Sequence, residues 1–553
     1  MTLTELELPV RRSARLDGLP VAIIGGGPIG LAAAAHLVER GIDFVIYEKG
    51  DTVASSIASW GHTRLFSPWS LLIDPAAERL LRETGWQTPP AEVLPTGAEL
   101  ISAYLAPLAA SDQIAPRIRY GAEVISASRE GMDRTRSAGR EGVPFVLRVH
   151  TDEGIADVTA RAVIDASGTY ASPNPLASSG LEPLGFDEVR DRITHALPDV
   201  LGRDRAQFAG RHTLVVGAGH SAANTLLALA RLAALEPGTR ITWAIRNASA
   251  VRVSSSDDDQ LPARATLGSA VDAHVASGLI AKLDRFEIVS LARAGERVLV
   301  TGRRGDDVTT VEADIVVNAT GFRPDLDMLR EIRLDLDEIV EAPRLLAPMI
   351  DPNLHSCGTV SPHGVAELGH PEPSFFITGM KSYGRAPTFL LATGYEQVRS
   401  IVAWLAGDVE AAARVELVLP ATGVCSTDLT PAEAAARERE AHRAVRVRAQ
   451  RRALADGRRL PDGTRGRSGR GALGGLRTER PGEPGGRGGD GGGGYRHLAQ
   501  RAEDPHRRRG EGIGCRGHDG VRRRVSDLPR QALRGLGARR PRGPCDRGRA
   551  PHP

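Results

Sequence analysis

Residues 21–50 read VAIIGGGPIGLAAAAHLVERGIDFVIYEKG, and the order of their parts decides the fold. Val21–Ile24 is an apolar run short enough to be a buried strand, and Gly25-Gly26-Gly27-Pro28-Ile29-Gly30, a G-x-G-x-x-G, follows at once. An Ala-rich segment from Leu31 to Arg40 then reads as a helix ended by Gly41, and Phe44 to Tyr47 as a second strand stopping at Glu48. Each part has a task in receiving a dinucleotide. Gly25 permits the tight turn, Gly27 lets backbone approach a pyrophosphate, and Gly30 lets the helix pack closely on the strand. The pyrophosphate meets free N–H groups and the positive end of the helix dipole. Glu48, about 20 residues on, accepts hydrogen bonds from a ribose hydroxyl.

The same unit recurs. Leu214 to Val216 reads as a strand, Gly217-Ala218-Gly219-His220-Ser221-Ala222 as the turn, Ala223 to Leu235 as a helix, and Ile241 to Ile245 as a strand that ends in Arg246. An acid there would repel a 2′-phosphate, whereas Arg246 can pair with one through charge-assisted hydrogen bonds. Arg246 therefore predicts NADPH over NADH, the alternative being a solvated surface arginine, and Gly217, Gly219 and Ser221 are the residues expected to hold the nucleotide with it.

Three further apolar runs end in small residues, which let backbone approach a ligand. Ala162 to Ala166 leads into Ser167-Gly168-Thr169, Ile315 to Val317 into Asn318-Ala319-Thr320-Gly321, and Phe375 to Ile377 into Thr378-Gly379-Met380-Lys381. These endings place Thr320, Gly321 and Gly379 beside a cofactor. Pro173 and Pro175 stiffen a crossover between domains, and Ile118 to Thr159 reads as short strands of an antiparallel insertion. Pro387 to Trp404 reads as a helix whose N-terminus faces a cofactor. In the loop SIASWGHTRLFSPWSLLIDP, Trp60, Arg64 and Trp69 are candidates either to line a cavity or to pack beneath the loop. His355, Cys357, His363 and His370 fit no usual zinc spacing, and no metal is expected.

The chain has 553 residues, enough for several domains, and its net charge of +3 conceals an uneven distribution. Residues 441–553 hold 29 Arg, no Lys and 11 acidic residues, a net +18 that leaves the other 440 residues at −15. Of the 62 glycines, 25 also fall in 441–553, so a packed core there is not expected. The segment 431–553 reads as a disordered basic low-complexity tail. Two origins stay open for it, an arm that touches nucleic acid or anionic surfaces and an out-of-frame translation of GC-rich DNA. Four well-separated cysteines without a C-x-x-C argue against a disulfide framework and a dithiol centre. No signal-peptide apolar region and no apolar run of about 18 residues are found, so a cytoplasmic protein without membrane contact is expected.

Two fingerprints about 190 residues apart, the first ending in an acid, resemble the two-dinucleotide-binding flavoproteins. G-x-G-x-S-A at Gly217 to Ala222, A-T-G-F at Ala319 to Phe322, and the Arg-Leu then Ser-Pro of Trp60 to Pro68 resemble the class B flavin monooxygenases. The resemblance spans about residues 18–410. It implies an α/β fold of two Rossmann-like domains: 18–175 and 314–410 form the FAD-binding domain, and 205–313 form the NAD(P)-binding domain inserted into it. FAD would rest on Gly25, Gly27, Gly30 and Glu48. By the same resemblance NADPH reduces FAD, the reduced flavin activates O2, retained NADP shields it from water, and a small molecule is oxygenated. His195, Arg64 and Lys381 are the candidates for the reacting centre. The family's F-x-G-x-x-x-H is represented only by its His195, since Val189 and Asp191 stand at the other two positions, and no Asp follows Gly379. The alternatives are a reductase that passes flavin electrons to another acceptor and a nucleotide-binding sensor with a nucleic-acid-binding tail.

Overall fold

The central strands of the two parallel sheets are buried on both faces, and the strands of the antiparallel meanders alternate, as their burial requires. The computed structural model describes residues 14–248, 262–351, 362–386 and 389–417. The predicted tail 431–553, His355 and Cys357 lie outside the described residues.

The strands in chain order are β1 (Val21–Ile24), β2 (Phe44–Tyr47), β3 (Ile118–Arg119), β4 (Glu123–Arg129), β5 (Phe145–Thr151), β6 (Gly154–Ala160), β7 (Ala162–Asp165) and β8 (Ile193–Thr194). They continue with β9 (His212–Val216), β10 (Arg240–Ala244), β11 (Ile280–Leu283), β12 (Glu287–Ala294), β13 (Arg297–Arg304), β14 (Asp307–Ala313), β15 (Ile315–Asn318) and β16 (Phe375–Ile377). One parallel sheet has the order β16-β7-β1-β2-β3, and a second has β11-β10-β9-β15-β8. Both follow one plan: a fingerprint strand lies between the strand that follows its helix and a strand that returns after a three-stranded antiparallel meander. The meanders are β4-β5-β6 and β12-β13-β14. In both sheets the strand order reverses beside the fingerprint strand, where open α/β sheets bind ligands. The second unit interrupts the first, because β8 to β15 intervene between β7 and β16 of one sheet.

The second domain reaches past the predicted 205–313 at both ends. Ile315–Asn318 was expected to belong to the returning part of the first domain. It pairs instead in parallel with β9, Ile315 opposite Thr213 and Asn318 opposite Val216, and is buried along its length. Ile193 and Thr194 pair on its other side.

The first helix, Pro28–Glu39, owes its position to alanine. Ala32 to Ala35 are wholly buried, and small side chains let the helix Leu391–Leu405 pack close against it. That late helix was predicted from Pro387, but it begins at Leu391, and Pro387 and Thr388 lie outside the described residues. On the far edge the buried Glu372 receives Arg129 Nε and Arg140 Nη2, both at 2.8 Å, and ties the first meander to the start of β16. Burial pushes the Glu372 carboxyl up, but the hydrogen bonds from Arg140 and Arg129 outweigh it and hold the carboxyl below its ordinary range. Among the described residues no helix is long and apolar enough to cross a membrane.

Candidate functional site

The two turns are shaped alike. Gly25 has φ +101° at the exit of β1, and a Cβ there would stand 2.8 Å from Ala166 O at the exit of β7. Gly217 has φ +136° at the exit of β9, and its Cβ would stand 2.0 Å from Ala319 O at the exit of β15. Only glycine serves at both places, where positive φ and the neighbouring strand end coincide. A Cβ on Gly30 would meet Gly25 O at 2.0 Å, so Gly30 sets how closely the helix sits on the turn. Gly27 and Gly219, which cap the two helices, face open space, with nothing within 4 Å of a Cβ. A tight first glycine, an open second one and helix N–H groups beyond form a cradle fitted to a pyrophosphate.

The strand ends that face these turns are a repeat in sequence and in bonding. Asp165-Ala166-Ser167-Gly168 begins at the last residue of β7 as Asn318-Ala319-Thr320-Gly321 begins at the last residue of β15. Ser167 donates from Oγ to Asp165 Oδ1 at 2.7 Å, and Thr320 donates from Oγ1 to Asn318 Oδ1 at 2.7 Å. The carboxylate of the first copy is neutralised by Lys381, whose Nζ lies 2.7 Å from Asp165 Oδ2 and 3.1 Å from Ser167 Oγ. Neither member of that ion pair has more than 1% of its side chain exposed. The uncharged second copy is held by Asn174, whose carbonyl accepts from Asn318 Nδ2 at 2.9 Å and lies 3.0 Å from Thr320 Oγ1. Thr320 and Gly321 are thus locked to the crossover that joins the domains.

The acid and the base at the second-strand ends differ in environment. Glu48 is buried and accepts from Gly26 N at 2.6 Å, Gly50 N at 2.8 Å and Ser55 Oγ at 2.8 Å. Arg246 is exposed, and among the described residues it forms no ion pair. Ser221 lies half-buried on the first turn of the second helix, beside His220.

The predicted reacting residues are not brought together. His195 is exposed at the end of β8, its Nε2 3.0 Å from Tyr170 O and its ring stacked on Phe322 at 5.4 Å. Tyr170 completes this cluster, 4.4 Å from His195, on the crossover after β7. Burial raises the Tyr170 pKa, with a Ser59 hydrogen bond and the Arg203 charge opposing. Arg64 is exposed, bonded to Leu94 O and 3.8 Å from Glu99, and fastens its loop to the strand-like segment before Thr96. Lys381 is sealed in its ion pair. Trp69 belongs to the core, and Trp60 packs over Gly97.

Gly379, with φ +66°, packs on Ile29 of the first fingerprint and donates its N–H to Gln397 Oε1 at 2.8 Å. The Gln397 amide reaches His363 Nε2 at 2.8 Å and Ser382 Oγ at 2.9 Å, so His363 serves this buried network. His370 accepts from Asp335 N at 3.3 Å, and burial pushes its pKa down to about 4. Among the described residues no group of three His, Cys, Asp or Glu could hold a metal ion.

Sequence reasoning missed Phe66, whose ring lies 5.3 Å from His220 and carries the first domain's loop to the second fingerprint. It also missed Asp165 and Asn174. The likeness of Asp-Ala-Ser-Gly to Asn-Ala-Thr-Gly was the signal that could have found Asp165; no sequence pattern marks Asn174.

Two family models match the chain, one described as FAD dependent oxidoreductase over residues 20–110 and one as pyridine nucleotide-disulphide oxidoreductase over residues 145–351. The chain is 29% identical over 239 residues to the indole-3-pyruvate monooxygenase YUCCA1 of Oryza sativa subsp. japonica, covering 43% of this chain and 50% of that one. It spans about half the length of the curated relatives it matches. Among solved structures it is similar to the bacillithiol disulfide reductase Bdr of Bacillus cereus, with 20% identity and a TM-score of 0.51 over 71% of this chain and 97% of that one. It is also similar to DfoA, the cadaverine monooxygenase of Erwinia amylovora, with 12% identity and a TM-score of 0.50 over 74% of this chain and 99% of that one. The fold is therefore the two-Rossmann flavoprotein fold, and the flavoprotein resemblance drawn from the sequence stands.

Proposed function

We propose that this chain is an FAD-dependent, NADPH-using oxidoreductase of the monooxygenase kind, acting with O2 on a small molecule in the cytoplasm. The observation that carries it is the duplicated cradle, with a buried acid at the first copy and at the second an exposed base that forms no ion pair among the described residues. Gly25, Gly27, Gly30 and Glu48 hold FAD, with Gly379 closing on Ile29. Gly217, Gly219, Ser221 and Arg246 hold NADPH, with Thr320 and Gly321 as the opposing wall. Bound FAD would supply acceptance of hydride from NADPH and reaction with O2. The protein's own part is placement and exclusion of water. Phe66 against His220 on the second fingerprint, and the Tyr170–His195–Phe322 cluster beside the crossover, are the aromatic surfaces that would exclude water there. His195 is the candidate that meets substrate or nicotinamide, because its ring is exposed. Arg64 and Lys381 act as positioning residues, one fastening the loop that bears Phe66 and the other fixing the Asp165 strand end.

The test begins with the colour of the purified full chain. NADPH added under nitrogen should bleach the flavin spectrum. After air is readmitted, slow return with little free peroxide supports the monooxygenase, and immediate return with stoichiometric peroxide favours the reductase. A chain that takes up no FAD overturns the proposal. For the nucleotide, Arg246→Ala should lower the preference for NADPH over NADH about 10- to 100-fold, the worth of one or two hydrogen bonds to a charged group. Flavin-reduction rates with each nucleotide measure this, and an unchanged ratio removes Arg246 from the site.

A further inference from the structure

We infer that Ala54 and Ser55 form a strained elbow that fixes Glu48 as a single-point acceptor for the adenosine ribose of FAD, with Ser55 as the positioning residue. The inference rests on FAD occupying the first cradle. A carboxylate offers about four acceptor positions on its two oxygens. Three are taken by the chain itself. Oε1 receives both Gly50 N and Ser55 Oγ at 2.8 Å, and Oε2 receives Gly26 N at 2.6 Å. Among the described residues one position remains, on Oε2, beside the Gly26 peptide of the fingerprint.

The elbow that supplies Ser55 is bound to the same peptide from the other side. Ala54 N donates to Gly26 O at 3.1 Å, so Gly26 is gripped at its N–H by Glu48 and at its carbonyl by Ala54. Ala54 has φ +53°, a conformation that an L residue with a Cβ adopts at a cost of about 1–3 kcal/mol when the surroundings demand it. In this geometry the Ala54 N–H and the Ser55 hydroxyl, from adjacent residues, serve the Gly26 carbonyl and the Glu48 carboxylate together. There is no slack in it: a Cβ on Gly50 would lie 2.4 Å from Ser55 Oγ, and one on Gly26 3.2 Å from Glu48 Oε2. With Oε1 saturated, the carboxylate cannot swing to take two ribose hydroxyls at once. It accepts from one.

The full chain stripped of flavin and titrated with FAD tests this. Ser55→Ala should weaken FAD binding about tenfold, the worth of one hydrogen bond to a charged group, and Ser55→Thr should restore it to within about threefold by retaining the hydroxyl. NADP+ affinity should stay at the wild-type value in both, which a general loss of fold at Ser55 would not allow. FAD analogues lacking the ribose 2′- or the 3′-hydroxyl should differ, one binding as FAD does and the other more weakly. Unchanged FAD affinity in Ser55→Ala, or equal loss with both analogues, overturns the inference while leaving the proposed function in place. A wild-type chain that takes up no FAD overturns both.

Discussion

Lys381→Met is expected to destabilise the protein by about 3–5 kcal/mol, the usual cost of leaving one member of a buried ion pair without its partner. Asp165 is wholly buried and Lys381 is 1% exposed, so water cannot replace the lost ammonium. Met keeps the length and apolar bulk of the lysine stem, which isolates the charge from the packing. Urea unfolding of the full chain measures the loss, and a cost below about 1 kcal/mol would mean that the pair is solvated in solution. The second domain supplies the control. Asn318 holds the place of Asp165 and manages without a cation, so Asp165→Asn combined with Lys381→Met should recover most of the stability. If the double variant is as unstable as the single one, packing of Lys381 rather than its charge is what matters. Because Lys381 also bonds Ser167, on the strand end that faces the first turn, the single variant should also retain less flavin.

What could be read from the sequence were features made by neighbours in the chain. Both fingerprints, their helices and the strands on either side are encoded within runs of about 30 residues, where periodicity and turn chemistry suffice. The boundary of the second domain was not legible for a related reason. The Asp165 and Asn318 strand ends are written alike, so sequence could not say that Ile315–Asn318 answers β9 rather than β1; only pairing in parallel with Thr213 to Val216 decides it. The partners of single polar side chains were hidden further. Lys381 meets an acid 216 residues away, and Arg64 was spent on Leu94 O and Glu99, contacts set by how a loop folds back on itself. Trp60 and Trp69 stand nine residues apart in one loop, yet one lies over Gly97 and the other in the core. Burial of that kind comes from tertiary packing, which a non-periodic loop does not announce.

The glycines of the second turn give the sharpest separation of fold from function. Gly217→Ala places a Cβ 2.0 Å from Ala319 O at φ +136°, where side-chain-bearing residues are almost never found. The strand ends β9 and β15 would have to part, and NADPH-dependent reduction should fall more than about 100-fold, with a lowered thermal midpoint, since a backbone clash adds to a strain of about 1–3 kcal/mol. Gly219→Ala adds the same methyl group where nothing lies within 4 Å. Its fold cost is only the ordinary difference between two residues in extended backbone, φ −102°, so the thermal midpoint should not fall. The methyl does occupy the space through which a pyrophosphate reaches the helix N–H groups, so KM for NADPH should rise about tenfold or more, the price of one displaced charge-assisted contact. Flavin content should be normal in Gly219→Ala, because Gly25 and Gly27 belong to the other cradle. A Gly219→Ala protein that binds NADP+ as the wild type does would mean that the nucleotide is held elsewhere, whatever Gly217→Ala does, since that variant can fail through the fold alone.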